Sequence, residues 1–147
     1  MEADTIHHLL LVTFGRSNHA MTSRTRRYGL MPGQPKVLEF VADNEGCLQR
    51  DIANACAMDR ATVTGVLGRM EEAGLIERRP KEGDRRALEV RLTDAGWEAA
   101  EHVAICGAEV DEIACADMTA DERDELARLL ARVNENFEQE EGKGTHE

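Results

Sequence analysis

The most constraining feature of the chain is a change of hydrophobic period across a single glycine. Upstream of Gly74, the residues Val63, Val66, Leu67 and Met70 recur at three- and four-residue steps, the spacing of one buried helix face. Downstream, Ala87-Leu88-Glu89-Val90-Arg91-Leu92 alternates apolar and polar, as a half-buried strand does. Leu75 to Pro80 is a suitable strand partner. Between the two lies Lys81-Glu82-Gly83-Asp84-Arg85-Arg86, a basic, glycine-containing turn. Asp59 is a good N-cap, so the spacing predicts a helix over Arg60 to Ala73 that stops at Gly74. A shorter helix over Leu48 to Cys56, with Ile52, Ala53 and Cys56 on one side, precedes it after a tight break. Two short helices feeding a two-stranded basic hairpin describe a winged helix-turn-helix.

Helical patterns flank this centre. Ala3 to Arg27 carries a stripe of Ile6, Leu9, Leu10, Phe14, Ser17 and Met21. After a break at Tyr28 to Gly33, Pro32 suits the first turn of a helix bearing Val37, Leu38 and Val41, closed by Asp43-Asn44-Glu45-Gly46. Thr93 caps a helix through Trp97, Ala100, Val103, Ala104 and Val110 to about Ala116. Thr119 and Glu122 form a capping box opening a last helix with Leu126, Leu129, Leu130, Val133 and Phe137 on one face. The expected class is mainly α with a small β-hairpin wing (α+β). Its reader spans residues 31–92 between helical segments 1–30 and 93–139, and residues 140–147 are expected as a disordered tail.

The net charge of -11 would argue against a nucleic-acid partner were it spread evenly. It is not: residues 93–147 hold 16 acidic and 4 basic side chains, whereas residues 48–92 are at +1 and Arg78 to Arg91 at +3. Phosphate attraction is felt within about 10 Å, so the local sign decides. In the second helix of the motif, Arg60, Thr62, Thr64, Gly65 and Arg69 lie off the apolar stripe and are the candidates to face base edges in a major groove. Arg85 and Arg86 at the hairpin tip suit an adjacent minor groove.

These residues also carry a resemblance. Asp59-Arg-Ala-Thr-Val-Thr, Gly74-Leu-Ile-Glu-Arg, Gly83-Asp-Arg-Arg86 and Leu92-Thr-Asp-Ala-Gly96 together resemble the MarR pattern, in order, over roughly Leu30 to Gly96. The resemblance implies a homodimer built by the first, fifth and sixth helices, a wing in which Asp84 orients Arg86 toward DNA with Arg85 beside it, and a small aromatic or phenolic effector. Gly65 departs from the pattern, since many relatives carry an arginine there, which shifts base readout onto Thr62, Thr64 and Arg69. Met31 and Cys47 replace hydroxyl residues that usually cap the second and third helices. The implied function is a sequence-specific regulator, a repressor, acting on a pseudo-palindromic operator of double-stranded DNA.

Other classes find less footing. No apolar run approaches the ~20 residues of a membrane span, and the acidic amino terminus is unlike a secretory leader, so a cytoplasmic location is expected. No Ser-His-Asp or Cys-His arrangement, phosphate loop or HExxH motif is present, so neither catalysis nor a cofactor is expected. Cys47, Cys56, Cys106 and Cys115 lack CxxC spacing, so no zinc ribbon or thioredoxin-like motif is present, and each is a candidate oxidant sensor. His102 and Cys106, four apart on one helix face, are candidate zinc ligands if Glu109 or His19 joins them. A winged helix that binds proteins instead of DNA is the alternative that the acidic last third supports.

Overall fold

The computed structural model describes residues 5–144. Its elements run α1 (Ile6–Thr25), α2 (Gln34–Asp43), β1 (Cys47–Leu48), α3 (Gln49–Ala55), α4 (Arg60–Glu72), β2 (Ile76–Lys81), β3 (Asp84–Leu92), α5 (Asp94–Ala114) and α6 (Ala120–Gly144). By contacts the chain divides into one unit through Val110 and a second from Asp111.

The core of the first unit is where the two hydrophobic periods meet. Val37, Leu38 and Val41 of α2, Ile52 of α3, and Val63, Leu67 and Met70 of α4 are buried together with Ile76 and Val90 of the sheet and Val103 of α5. The apolar stripe of α4 is therefore its buried face, as its spacing predicts. Asp59 caps that helix by accepting the Thr62 backbone N–H at 2.7 Å. At the other end Gly74 takes φ +75°, a left-handed conformation that costs glycine little. The Leu75 N–H then reaches back to Met70 O at 2.9 Å and the Gly74 N–H to Glu71 O at 3.0 Å, satisfying the carbonyls a helix end leaves free.

The sheet has one strand more than the sequence predicts. β1 pairs antiparallel with β3 through Cys47↔Val90 and Leu48↔Glu89, giving the order β1-β3-β2. A two-residue strand leaves too little alternation to be seen in a sequence. The hairpin is also longer than expected: Lys81 belongs to β2 and Asp84, Arg85 and Arg86 to β3, so the turn contracts to Glu82-Gly83.

Three helix boundaries differ from expectation. Helix α2 starts at Gln34 after Gly33, so Pro35, not Pro32, occupies its first turn, and the Gln34 side chain accepts the Met31 N–H at 3.0 Å. The caps of α2 and α3 are Gly33 and Leu48 rather than Met31 and Cys47, and the Asp51 carboxylate accepts the Leu48 N–H at 3.0 Å. Helix α1 gives way to a 3-10 turn at Arg26–Tyr28, and the expected start at Ala3 falls outside the described residues.

Helix α5 is anchored to the reader by Thr93, whose hydroxyl donates to Gly74 O and accepts the Gly96 N–H. The first turn of α5 lies so close to the end of α4 that a side chain at Gly96 would overlap the Leu75 carbonyl oxygen, a backbone atom that cannot swing aside. Gly96→Ala is accordingly expected to lower stability by about 1–3 kcal/mol, the usual range for overpacking. Chemical denaturation checks this, and an unchanged midpoint would mean that the α5 contact yields without cost.

In the second unit, Thr119 and Glu122 form the expected capping box, with reciprocal bonds of 3.0 and 3.1 Å. Helix α6 then continues through Gly144, so Glu140 to Gly144 are helical where a disordered tail is expected from composition; residues 145–147 lie outside the described part. An Asn134–Glu138 bond at 2.8 Å, one helical turn apart, supports the helix just before that stretch. No residue of α6 is buried, and in α1 only Thr25 is. The stripes Ile6, Leu9, Phe14 and Leu126, Leu129, Leu130, Phe137 are thus left in solvent by a single chain.

Candidate nucleic-acid interface

Helices α3 and α4 and the wing enclose one groove. Into it project Gln49, Arg50 and Asn54 from α3, Arg60 and Thr64 from α4, and Asp84 and Arg86 from β3. The sequence marks Arg60, Thr64, Asp84 and Arg86 but misses the α3 residues. A signal for them exists, since Gln49, Arg50 and Asn54 fall outside the apolar set Ile52, Ala53 and Cys56.

The wing tip is shaped by a break in the ladder. Lys81 pairs with Asp84, but Pro80 already pairs with Leu88, so Arg85, Arg86 and Ala87 bulge from β3 without partners on β2. Pro80 has no N–H to donate, which makes this a natural place for the ladder to slip. Within the bulge the Asp84 carboxylate accepts the Arg86 backbone N–H at 3.1 Å. A local bond of this kind holds the backbone from which the Arg86 side chain departs.

Ion pairing sorts the basic residues of this region. Arg78 meets Glu71 through Nε and Nη2, both at 3.1 Å, tying β2 to the last turn of α4. That fork holds the Glu71 carboxyl below its usual range and pushes Arg78 up. Arg79 pairs with Glu77 at 2.7 Å, and Arg91 with Glu89 at 3.2 Å and Glu45 at 3.8 Å. Lys81, Arg85 and Arg86, all exposed, make no ion pair among the described residues. Arg50 and Arg60, which line the groove, also make no ion pair among the described residues, so the unpaired basic side chains are shared between the groove and the wing tip.

The structure does not bring all the expected recognition residues together. Arg60 and Thr64 line the groove. Thr62 instead borders a cleft with Phe14, Pro35 and Asp59, and Arg69 borders another with Tyr28, Gln34 and His102. Gly65 lies between these flanks, where an added Cβ would meet only the tip of Arg69 at 3.6 Å. Space is therefore no reason for the absence of a side chain there.

The Asp59 cap sets a pH dependence. Bonds from the Thr62 backbone and side chain hold its carboxyl below the usual aspartate range. A depressed folded value means that the stabilisation is complete above the unfolded value of about 3.9 and is lost as pH falls through the folded one. Asp59→Asn keeps a capping oxygen without the titration. We expect it to flatten the acid limb of the stability profile, and an unaltered limb would remove Asp59 from that account.

The alternative chemistries are not assembled. His102 stacks on Tyr28 with ring centroids 4.0 Å apart and 8° between planes, Glu109 pairs with Arg24 at 3.2 Å, and Cys106 is buried. Among the described residues no three His, Cys, Asp or Glu side chains converge to hold a metal ion. Burial pushes the Cys47 thiol up to about 11 and Cys56 up as well, so both are protonated at neutral pH and poor nucleophiles. No described helix is long and apolar enough to cross a membrane.

With this geometry in place, the comparisons with known proteins agree with one another. A MarR family sequence model matches residues 28–87. The transcriptional regulator MgrA of Staphylococcus aureus is similar at 30% identity over 78% of this chain and 76% of its own length. PecS of Dickeya dadantii is 34% identical over 58% of this chain, a match spanning about half, 52%, of that relative. Among solved structures, a probable transcriptional regulator from Pseudomonas aeruginosa superposes with a TM-score of 0.77 at 32% identity, over 88% of this chain and 97% of the other. Bordetella bronchiseptica BpsR, whose DNA binding is regulated by 6-hydroxynicotinic acid, gives 0.81 at 25% identity, over 91% and 96%.

Proposed function

The chain belongs to the MarR family of winged helix regulators, and from that premise we propose that it is a homodimeric, operator-specific repressor released by a small aromatic anion. The observation that carries the reading is the wing. Arg86 is unpaired, braced through its backbone by Asp84, and opens onto the same groove as Arg60 of α4. In this reading α4 enters a major groove and Arg86, with Arg85 beside it, reaches the flanking minor groove. The reader is the segment 31–92, and the flanking helical segments serve pairing.

Dimerisation is supported by the apolar stripes of α1 and α6, which a single chain leaves in water. Patches of that kind mark association surfaces. A two-fold dimer presents two readers, so the operator is an inverted repeat with half-sites about one turn, roughly 34–36 Å, apart. The acidic last third, repelled by phosphate, favours the docking pose that keeps it off the duplex. An effector acts by preferring a dimer whose reader spacing misses the operator, and coupling of about 1–3 kcal/mol is typical. The relative BpsR is the support for an aromatic acid in that role. The site of action is the cytoplasm, where the genome lies.

Selection of bound fragments from genomic DNA tests the reading. It predicts enrichment of one inverted repeat, released by an aromatic acid found in a ligand screen on that repeat. Recovery of unrelated fragments without a shared element would contradict it.

A further inference from the structure

Resting on the proposed DNA-binding function, we propose that Gln49 of α3 reads an adenine in each half-site, with Thr64 of α4 as the positioning residue that aims it. The sequence pattern places base readout on α4 itself, yet the hydroxyl of Thr64 is already occupied. It donates to Arg60 O at 2.8 Å and accepts from Gln49 Nε2 at 2.9 Å. With its hydrogen committed to a carbonyl, the hydroxyl has only lone pairs to offer Gln49. Only the amide nitrogen satisfies them, and this fixes which way round the carboxamide lies.

One N–H of Gln49 is thereby used. The other N–H and the carbonyl oxygen meet no other partner among the described residues, and the side chain lies in the groove shared with Arg60 and Arg86. A neighbouring donor and acceptor on one planar group is what the N7 acceptor and N6 donor of adenine require in the major groove.

A second, independent feature lets α3 come within reach. Up to its last turn, where Glu72 follows, the outward face of α4, opposite its buried stripe, is made of Ala61, Gly65 and Gly68. An added Cβ at Gly68 would meet nothing within 4 Å, and one at Gly65 only Arg69. A face without long side chains allows the helix backbone to lie deep in the groove. The residue beside it then approaches base edges where it would otherwise stop at phosphate. Thr62 and Arg69, the remaining polar candidates of α4, lie on the flanks away from this groove.

The test is selection from a randomised duplex library with the full-length protein, Gln49→Ala and Thr64→Val. The wild-type chain is expected to select adenine at one position per half-site. Gln49→Ala loses that preference alone, by about 5- to 150-fold, the discrimination of one bidentate pair. Thr64→Val keeps adenine as the preferred base with a smaller ratio. Replacing the selected adenine with 7-deazaadenine, which lacks the N7 acceptor, weakens the wild-type chain and leaves Gln49→Ala unaffected, a result that a merely structural glutamine would not produce. If Gln49→Ala selects the same sequence with the same ratios, or if 7-deazaadenine weakens both proteins equally, the inference is overturned while the DNA-binding function stands. A wild-type chain that selects no sequence overturns the function itself and this inference with it.

Discussion

Arg86→Ala is expected to weaken binding to every duplex, operator or not, by about 100-fold or more. Arg86 is exposed, makes no ion pair among the described residues and projects from a bulge braced by Asp84, so nothing in the fold depends on its side chain. A hydrogen bond to a charged group contributes about 1.5–3 kcal/mol, and a dimer makes the contact twice. In the proposed pose the contact is with phosphate and minor-groove potential, so the loss is nearly uniform across sequences. The salt dependence should shrink by roughly one released ion per contact, hence about two per dimer. Affinity measured at several salt concentrations, on operator and unrelated DNA, checks all three statements. Equal affinity of variant and parent would take the wing out of the interface.

Leu130→Asp is expected to dissociate the proposed dimer and, with it, to lose operator binding. Leu130 is 48% exposed in the single chain, on a helix with no buried residue, so the substitution disturbs no core. In the proposed paired state it would place a carboxylate in an apolar seam, and burying a charge is costly. Losing the second reader removes the effective-concentration gain of bivalent binding, about 10²–10⁴-fold. Analytical ultracentrifugation should show a monomer, and far-UV circular dichroism an unchanged helix content. A variant that sediments as the parent does would place the pairing surface elsewhere.

The core and the existence of the wing were legible because periodicity is a property of many residues at once. Val63, Val66, Leu67 and Met70 declare one face of α4 by spacing alone, and the structure buries all four. Short and cooperative features were not legible in this way. The two-residue strand β1 exists because β3 offers it an edge, and nothing in Cys47-Leu48 announces that. The starts of α2 and α3 depend on single backbone N–H bonds accepted by the Gln34 and Asp51 side chains, which composition does not reveal.

For the site, charge and spacing marked Arg60 and Arg86 and the MarR resemblance marked Asp84, and the structure places all three on one groove. The flank of α4 on which a side chain falls was harder to read. Thr62, Thr64 and Arg69 all leave the apolar stripe, yet they diverge to different grooves, and the stripe alone does not say which side faces the wing. Gln49 was missed because its role lies in a bond between two helices, a relation that no single-helix pattern encodes. The apolar stripes of α1 and α6 lie exposed in the single chain, and the proposed pairing is what would cover them.

The central claim is that α4 and the wing form one cationic surface fitted to a duplex, on a chain that is acidic overall. Titration of the purified protein with duplex DNA across a range of salt concentrations tests it directly. The account predicts tight binding at low salt and a linear, steep fall of log affinity with log salt, with a slope near -0.9 for each phosphate contacted. Absence of binding at the lowest ionic strength, or binding indifferent to salt, would contradict it.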